Sequence, residues 1–355
     1  MTDVLILGGT GWLSGRIARS WADAGADVTC LARGSRPAPE GAALVVADRD
    51  APEAYAALTD RDWDEVVDVS SNPVHVAAAV DALGTRAAHW TYVSSVSAYA
   101  RADVEGQDES AELLAPAAAG EEPDYGRDKV AAEKAVRDAL ADRAAVIRPG
   151  LIVGPGDPTD RFGYWVSRFA LAGDGPVLVP ETGALAGDDP VLVPYTADAR
   201  AQVIDVDDVA AFVVHIGRER WSGTANAVGD VHALADVLDL ARQIAGHSGA
   251  AVAASDQFLV DHDVAHWAGP RSLPLWLPGD MPGFMTHRNA IFRAAGGTLR
   301  PLRETLERTL ADERARGLDR ERRAGLVRSD ELALLAELAR PTGLAGPDRP
   351  DRAQR

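Results

Sequence analysis

The sequence predicts an α/β protein: a Rossmann-type doubly wound parallel sheet with a smaller C-terminal substrate-binding domain. Three observations predict it. Short apolar runs alternate with helical patterns through roughly the first 150 residues. A glycine-rich turn follows the first run. Beyond about residue 155 the alternation loosens, Pro and Gly become frequent, and aromatics gather in 162–169 and 267–292.

The elements follow in order. Val4 to Leu7 is an apolar run that ends in Gly8-Gly9-Thr10-Gly11. A helical pattern from Leu13 to Ala24 stops at Gly25, and Val28–Leu31 and Leu44–Val46 read as strands. A helix around Ala51 to Leu58 leads to a strand at Val66–Val69, and one around Val74 to Leu83 leads to Trp90–Ser94. A longer helix, Tyr125 to Leu140, precedes Ala145–Arg148. Continuous apolar runs, rather than alternating ones, mean strands covered on both faces, as in a parallel sheet. Such a sheet binds ligands beyond the carboxyl ends of its strands.

The expected Rossmann domain covers 1–155 plus about 200–228, where Gln202 to Asp208 and an apolar helix return to it. The substrate lobe takes about 156–199 and 229–340, and 341–355 reads as a disordered tail. Helices are expected near Leu302–Arg316 and Ser329–Arg340, the latter capped by Ser329. Pro176-Val177-Leu178-Val179-Pro180 recurs as Pro190-Val191-Leu192-Val193-Pro194, which reads as a duplication in a surface loop or a hairpin flap.

Composition excludes several classes. The 355 residues are 46% hydrophobic and 25% charged, enough for a sizeable core. The net charge of −18 opposes a nucleic-acid role, which needs a basic face. Cys30 is the one cysteine, so no internal disulfide can form and a reducing, cytoplasmic setting is expected. Neither a leader nor a membrane span is expected.

The turn Gly8-Gly9-Thr10-Gly11-Trp12-Leu13 between strand and helix suits a dinucleotide pyrophosphate, which would meet backbone N–H groups and a helix dipole. Ser14 replaces the third glycine of the usual pattern. The second strand ends in Ala32-Arg33-Gly34-Ser35-Arg36 with no carboxylate for a ribose 2′-hydroxyl. Arg33, helped by Ser35 and Arg36, suits a 2′-phosphate, so NADP(H) is preferred over NAD(H). Asp48 and Arg49 follow the third strand and are placed to meet the adenine. Tyr125 and Lys129 lie four apart on one helical face, and Ser94 and Ser95 end the preceding strand. A nearby ammonium and an oxidised nicotinamide would lower the Tyr125 pKa.

Together with Tyr92 to Tyr99, Arg148-Pro149-Gly150, Gly154-Pro155, Asp205 to Asp208 and Asn226, these motifs resemble the extended short-chain dehydrogenase/reductase superfamily. The resemblance is to its NAD(P)-dependent epimerase/dehydratase group and covers roughly residues 3–315. Gly8 to Gly11, Ala32-Arg33-Gly34, Asp160 to Trp165 and Arg300 to Thr305 resemble an atypical branch of reductase-like bacterial proteins. The resemblance implies Ser95, Tyr125 and Lys129 as the catalytic set. It adds Ser70, Ser94, Arg148, Pro149 and Gly150 to the cofactor contacts. Nucleotide-sugar dehydratases of the superfamily carry an Asp-Glu pair where this chain has Val96 and Ser97, so dehydration is not expected.

Ser97, Tyr164, Trp165 and Arg168, with Arg161, are candidates to meet substrate. Trp276, Met281, Phe284 and Met285 read as core or as an apolar lid. His262 and His266 have helical spacing but lack a third ligand, so no metal is expected. The expected activity is NADPH-dependent reduction of a small organic carbonyl, or the reverse oxidation. The alternatives are an epimerase of a sugar derivative and a non-catalytic cofactor-binding regulator. Dimers through main-domain helices are usual in the family; a small-molecule substrate is the expected partner.

Overall fold

The computed structural model describes residues 2–118, 120–181 and 199–340. Its first half runs β1 (Asp3–Leu7), α1 (Trp12–Asp23), β2 (Asp27–Ala32), β3 (Ala42–Val46), β4 (Trp63–Asp68), α2 (Pro73–Leu83), β5 (Ala87–Val93), α3 (Tyr125–Leu140) and β6 (Ala144–Pro149). Then come β7 (Leu151–Val153), α4 (Arg161–Ala172), β8 (Val177–Pro180), β9 (Arg200–Asp205), α5 (Val206–Glu219), β10 (Gly223–Ala227) and β11 (Val231–Ala233). The chain closes with α6 (Leu234–Ala245), β12 (Ala251–Ala254), α7 (Asp256–Asp261), α8 (Ala290–Ala294), α9 (Leu302–Arg316) and α10 (Arg328–Leu338).

Seven strands form one parallel sheet in the order β10-β6-β5-β4-β1-β2-β3. The order reverses between β1 and β4, the switch point where a doubly wound sheet binds its ligand. Val4, Leu5, Ile6 and Leu7 are all fully buried, so β1 is covered on both faces. One face packs against α1 and α5 through Ile17, Trp21, Val209 and Val213. The other packs against α2 and α3 through Val76, Val80, Ala132 and Val136.

Caps set the helix starts around the cleft. Asn72 accepts from Val74 N ahead of Pro73, the first residue of α2. Asp124 accepts from Arg127 N and opens α3, with Asp128 in its first turn. A second core lies in the C-terminal lobe, where α4, α6, α9 and α10 enclose Phe162, Trp165, Phe169, Leu238 and Leu306.

Several expectations need correction. Residues 51–58 form turns and one 3-10 turn, not an α-helix. Tyr55 is held there by its hydroxyl, which donates to the His75 carbonyl at 3.0 Å and accepts from Arg49 at 2.9 Å. Gln202–Asp205 belongs to β9, which lies between β7 and β11 in a three-stranded sheet, with Ile204 packed in the core of the main domain. It is α5 and then β10 that return to the seven strands. The first Pro-Val-Leu-Val-Pro copy is not a surface loop, since Val177, Leu178 and Val179 are fully buried in β8 beside β12. The second copy and the 341–355 tail lie outside the described residues. Ser329 falls inside α10, whose cap position is Val327. Arg328 joins the helix by pairing with the buried Glu331.

Candidate functional site

The loop after β1 is shaped by small residues. Gly8 has φ +83°, a conformation that favours glycine. A Cβ at Gly9 would stand 2.4 Å from Cys30 Sγ, so β2 presses directly on the loop. Cys30 is fully buried there, the small core residue expected. Ser14 ties the turn: its hydroxyl donates to the Gly8 carbonyl at 2.6 Å and accepts from Gly11 N at 3.0 Å. The first N–H groups of a helix lack intrahelical acceptors. Trp12 and Leu13 carry them here, and both line the cleft.

The cleft continues to either side of Gly11. One arm, of about 350 Å³, is lined by Gly8, Thr10, Gly11, Arg33, Ser35, Arg36, Asp48, Arg49 and Ser70. The other, of about 250 Å³, is lined by Gly11, Trp12, Leu13, Ser94, Ser95, Tyr125, Lys129, Pro149 and Gly150. Two arms meeting at a glycine turn fit an elongated ligand with a central pyrophosphate.

In the first arm Arg33 and Arg36 are exposed and form no ion pair among the described residues. Arg49 is different. Its guanidinium is bidentate to Asp68 at 2.9 and 2.7 Å and also donates to the His75 carbonyl. It therefore shapes the arm's wall and is not free to meet an adenine. Asp48 accepts from Asp50 N at the rim, and Asp50 meets His75 Nε2 at 2.7 Å. Asp50, His75 and Val69 line this arm too, though no motif marks them in the sequence.

In the second arm Lys129 Nζ donates to the Val93 carbonyl at 2.7 Å and to the Ser70 carbonyl at 2.9 Å. Burial lowers its pKa to about 8, against the opposing charges of Asp68 and Glu133. The ammonium lies 6.0 Å from the centre of the Tyr125 ring. Tyr125 opens α3 at the mouth of the arm and is 54% exposed. Its pKa is raised in the protein alone. Desolvation of the phenol dominates, and the Ser95 hydroxyl and the Arg161 charge only pull it back.

Glycine brings Ser95 and Tyr125 together. Ser95 caps the 3-10 turn 96–98, accepting from Ser97 N at 3.1 Å. A Cβ at Gly126 would lie 2.3 Å from the Ser97 carbonyl, so α3 starts in backbone contact with that turn. Ser97 sits in this turn, half-buried.

Ser94 lines the second arm, but its hydroxyl and the Arg148 guanidinium are engaged by a buried carboxylate. Ser94 Oγ donates to Glu133 at 2.5 Å, and Arg148 is bidentate to Glu133 at 2.9 and 2.8 Å. Tyr99 and Asn226 complete this buried cluster. Sequence reasoning missed Glu133 and Asp68. Glu133 lies one turn beyond Lys129 on the same face of α3, a spacing that could have marked it.

Tyr164, Trp165 and Arg168 do not reach the cleft. All three are buried in the C-terminal lobe, where Trp165 donates to the Pro274 carbonyl and Arg168 pairs with Glu331. Arg161, the first residue of α4, donates to Thr159 Oγ1 at 3.2 Å and lies 4.7 Å from the centre of the Trp267 ring. Trp276 and Met285 are core residues of that lobe. His262 and His266 share no helix face: α7 ends at Asp261, and His266 stacks on Trp276 at 3.7 Å.

No helix among the described residues is long and apolar enough to cross a membrane. The model of the NAD dependent epimerase/dehydratase family matches residues 4–229. No curated protein matches the chain. Among solved structures, a Burkholderia cenocepacia J2315 protein is 24% identical with a TM-score of 0.65, over 88% of this chain and 98% of its own. UDP-N-acetylglucosamine 4-epimerase from Bacillus cereus is 16% identical with a TM-score of 0.63, over 92% and 100%. The Bordetella bronchiseptica enzyme WbmH, solved with NAD+, is 16% identical with a TM-score of 0.64, over 88% and 98%. At these identities the likeness is one of fold.

Proposed function

The chain belongs to the NAD-dependent epimerase/dehydratase family, and from that premise we propose that it is an NADP(H)-dependent oxidoreductase of a small organic carbonyl or alcohol. The observation that carries this reading is the two-armed cleft. Unpaired Arg33 and Arg36 stand in one arm, and Ser95, Tyr125 and Lys129 in the other. The glycine cradle supports the fit, because a side chain at Gly9 would collide with Cys30.

A bound nicotinamide would supply or accept hydride. The chain's residues do the rest. Arg33 and Arg36 offer charge-assisted hydrogen bonds to a 2′-phosphate. Lys129 presents an ammonium for the adjoining ribose, and Ser95 orients the substrate oxygen. Tyr125 transfers the proton; a phenol, with an ordinary pKa of about 10, is neutral near pH 7, the form that donates in the reducing direction.

A second reading is an epimerase that oxidises and re-reduces one substrate without net cofactor turnover. The 4-epimerase from Bacillus cereus, with its like fold, favours it. One titration separates the readings. NADPH and NADH are added to the wild type and to Arg33→Ala, with nicotinamide fluorescence as the readout. The expected result is a preference for NADPH that the variant loses, a change of about 10- to 100-fold for one charge-assisted contact. A preference for NADH, or a cofactor that stays bound and does not exchange, overturns the reductase reading and favours the epimerase.

A further inference from the structure

Asp68 is the last residue of β4 and is fully buried. Its Oδ1 accepts from Ser70 N at 2.9 Å and from Arg49 Nη1 at 2.9 Å, and its Oδ2 accepts from Arg49 Nη2 at 2.7 Å. Ser70 in turn holds Lys129: its carbonyl accepts from Lys129 Nζ at 2.9 Å and from the Tyr92 hydroxyl at 3.0 Å. Val69, the residue between them in sequence, lines both arms of the cleft. An ion pair at the first arm is thus joined, through one short turn, to the ammonium of the second.

An ammonium has three N–H donors. Lys129 gives one to the Val93 carbonyl and one to the Ser70 carbonyl, so one is left for a ligand in the second arm. Neutral carbonyls do not balance a buried charge. The charged and titratable groups around Lys129 are Asp68 from β4, Tyr92 from β5, and Tyr125 and Glu133 from α3 itself. On α2, His75 turns its ring to Asp50, and Asp81 is exposed. Glu133 is shared by two arginines, Arg148 and Arg137, whereas Asp68 meets one, so Asp68 is the stronger counter-charge for Lys129.

We propose that Asp68 is a positioning residue for Lys129: it fixes the Ser70 carbonyl that aims the ammonium, and it supplies the negative charge that balances it. Its value to the reaction rests on the preceding reading that Lys129 serves the cofactor.

The chain has two lysines, Lys129 and Lys134, which makes the test direct. Protein carrying lysine isotope-labelled at Cε is titrated with pH by NMR, without cofactor. Exposed Lys134 is the internal control. In the wild type Lys129 should lose its proton near pH 8. Asp68→Asn keeps the size and removes the charge, and should lower that midpoint by about one pH unit or more, with Lys134 unmoved. Asp68→Glu keeps the charge and should stay nearer the wild type. An unchanged Lys129 midpoint in Asp68→Asn overturns the proposal. Asp68→Asn leaves Arg49 buried without its counter-charge, so a thermal melt checks the fold. Should it not fold, Asp68→Asn combined with Arg49→Met, which strands no charge, is read in the same way. NADPH affinity, followed by nicotinamide fluorescence across the same pH range, should track the Lys129 midpoint in each protein. A loss of equal size at every pH marks a merely structural role and also overturns the proposal. Should NADPH not bind the wild type, the cofactor reading fails, and the lysine titration still decides whether Asp68 governs Lys129.

Discussion

Lys129 donates to the Val93 carbonyl at 2.7 Å from a fully enclosed position, 3% exposed. Its ammonium is thus held at the end of β5 by backbone oxygen, with no carboxylate in hydrogen-bond contact. That placement makes its charge sensitive to pH. Burial lowers the pKa to about 8, so the ammonium fades as pH rises through that value. NADPH affinity and the reduction rate should fall together above about pH 8. A pH series of nicotinamide fluorescence and of NADPH oxidation checks it. Stability moves the other way. The unfolded Lys binds its proton more tightly than the folded one, so stability rises with pH between about 8 and the ordinary Lys value of 10.5.

Tyr125→Phe removes the phenolic proton and little else, because the ring lies at the mouth of the cleft and is 54% exposed. The rate of carbonyl reduction should fall by about 10²- to 10⁴-fold, the usual contribution of a positioned acid. NADPH affinity should be unchanged. Stopped-flow rates beside a fluorescence titration test both halves. A variant with the wild-type rate would remove Tyr125 from the chemistry.

Glu133→Gln tests the buried cluster behind the cleft. Burial works against the Glu133 charge, but hydrogen bonds and charge from Arg148, helped by Ser94 and Arg137, hold its carboxyl below the ordinary range. With that charge removed, Arg148 is left buried and unpaired. The expected cost is about 3–5 kcal/mol, measured by urea denaturation. The sign with pH follows from the lowered pKa. The wild type keeps this stability above the ordinary Glu value and loses it as pH falls through the folded one. The gap between wild type and variant should therefore narrow on acidification.

The parts of the fold that were legible in the sequence are those whose signal is local. β1 carries a continuous apolar run, and β2, β4 and β5 shorter ones, because both their faces are covered. β10, Gly-Thr-Ala-Asn-Ala, carries no such run, and its place at the sheet edge is set by pairing with β6. The catalytic candidates follow the same division. Lys129 and Tyr125 are readable from one helical spacing. The direction of Arg148 is not, because it depends on Glu133 and Tyr99, which come from separate elements. Arg49 has the same history: Asp68, 19 residues later, takes its guanidinium.

Gly126→Ala separates alignment of the candidate catalytic groups from their presence. Ser95 and Tyr125 come from different elements, and only the close approach of α3 to the 96–98 turn brings them together. An added Cβ would meet the Ser97 carbonyl at 2.3 Å and Leu114 Cδ1 at 2.6 Å. The Leu114 side chain can swing aside, but the carbonyl belongs to the turn that Ser95 caps. The start of α3 must therefore move outward, taking Tyr125 with it. A shift of about 1 Å in a positioned group can cost on the order of 10² in rate. The stability loss should stay within about 1–3 kcal/mol, the usual cost of overpacking. Lys129 is held by two carbonyls a turn further along α3, so NADPH affinity should change little. Reduction kinetics, an NADPH titration and a urea melt on one preparation decide it. A rate loss no larger than that of a destabilised control with an intact cleft would show that the Ser95–Tyr125 alignment does not limit the reaction.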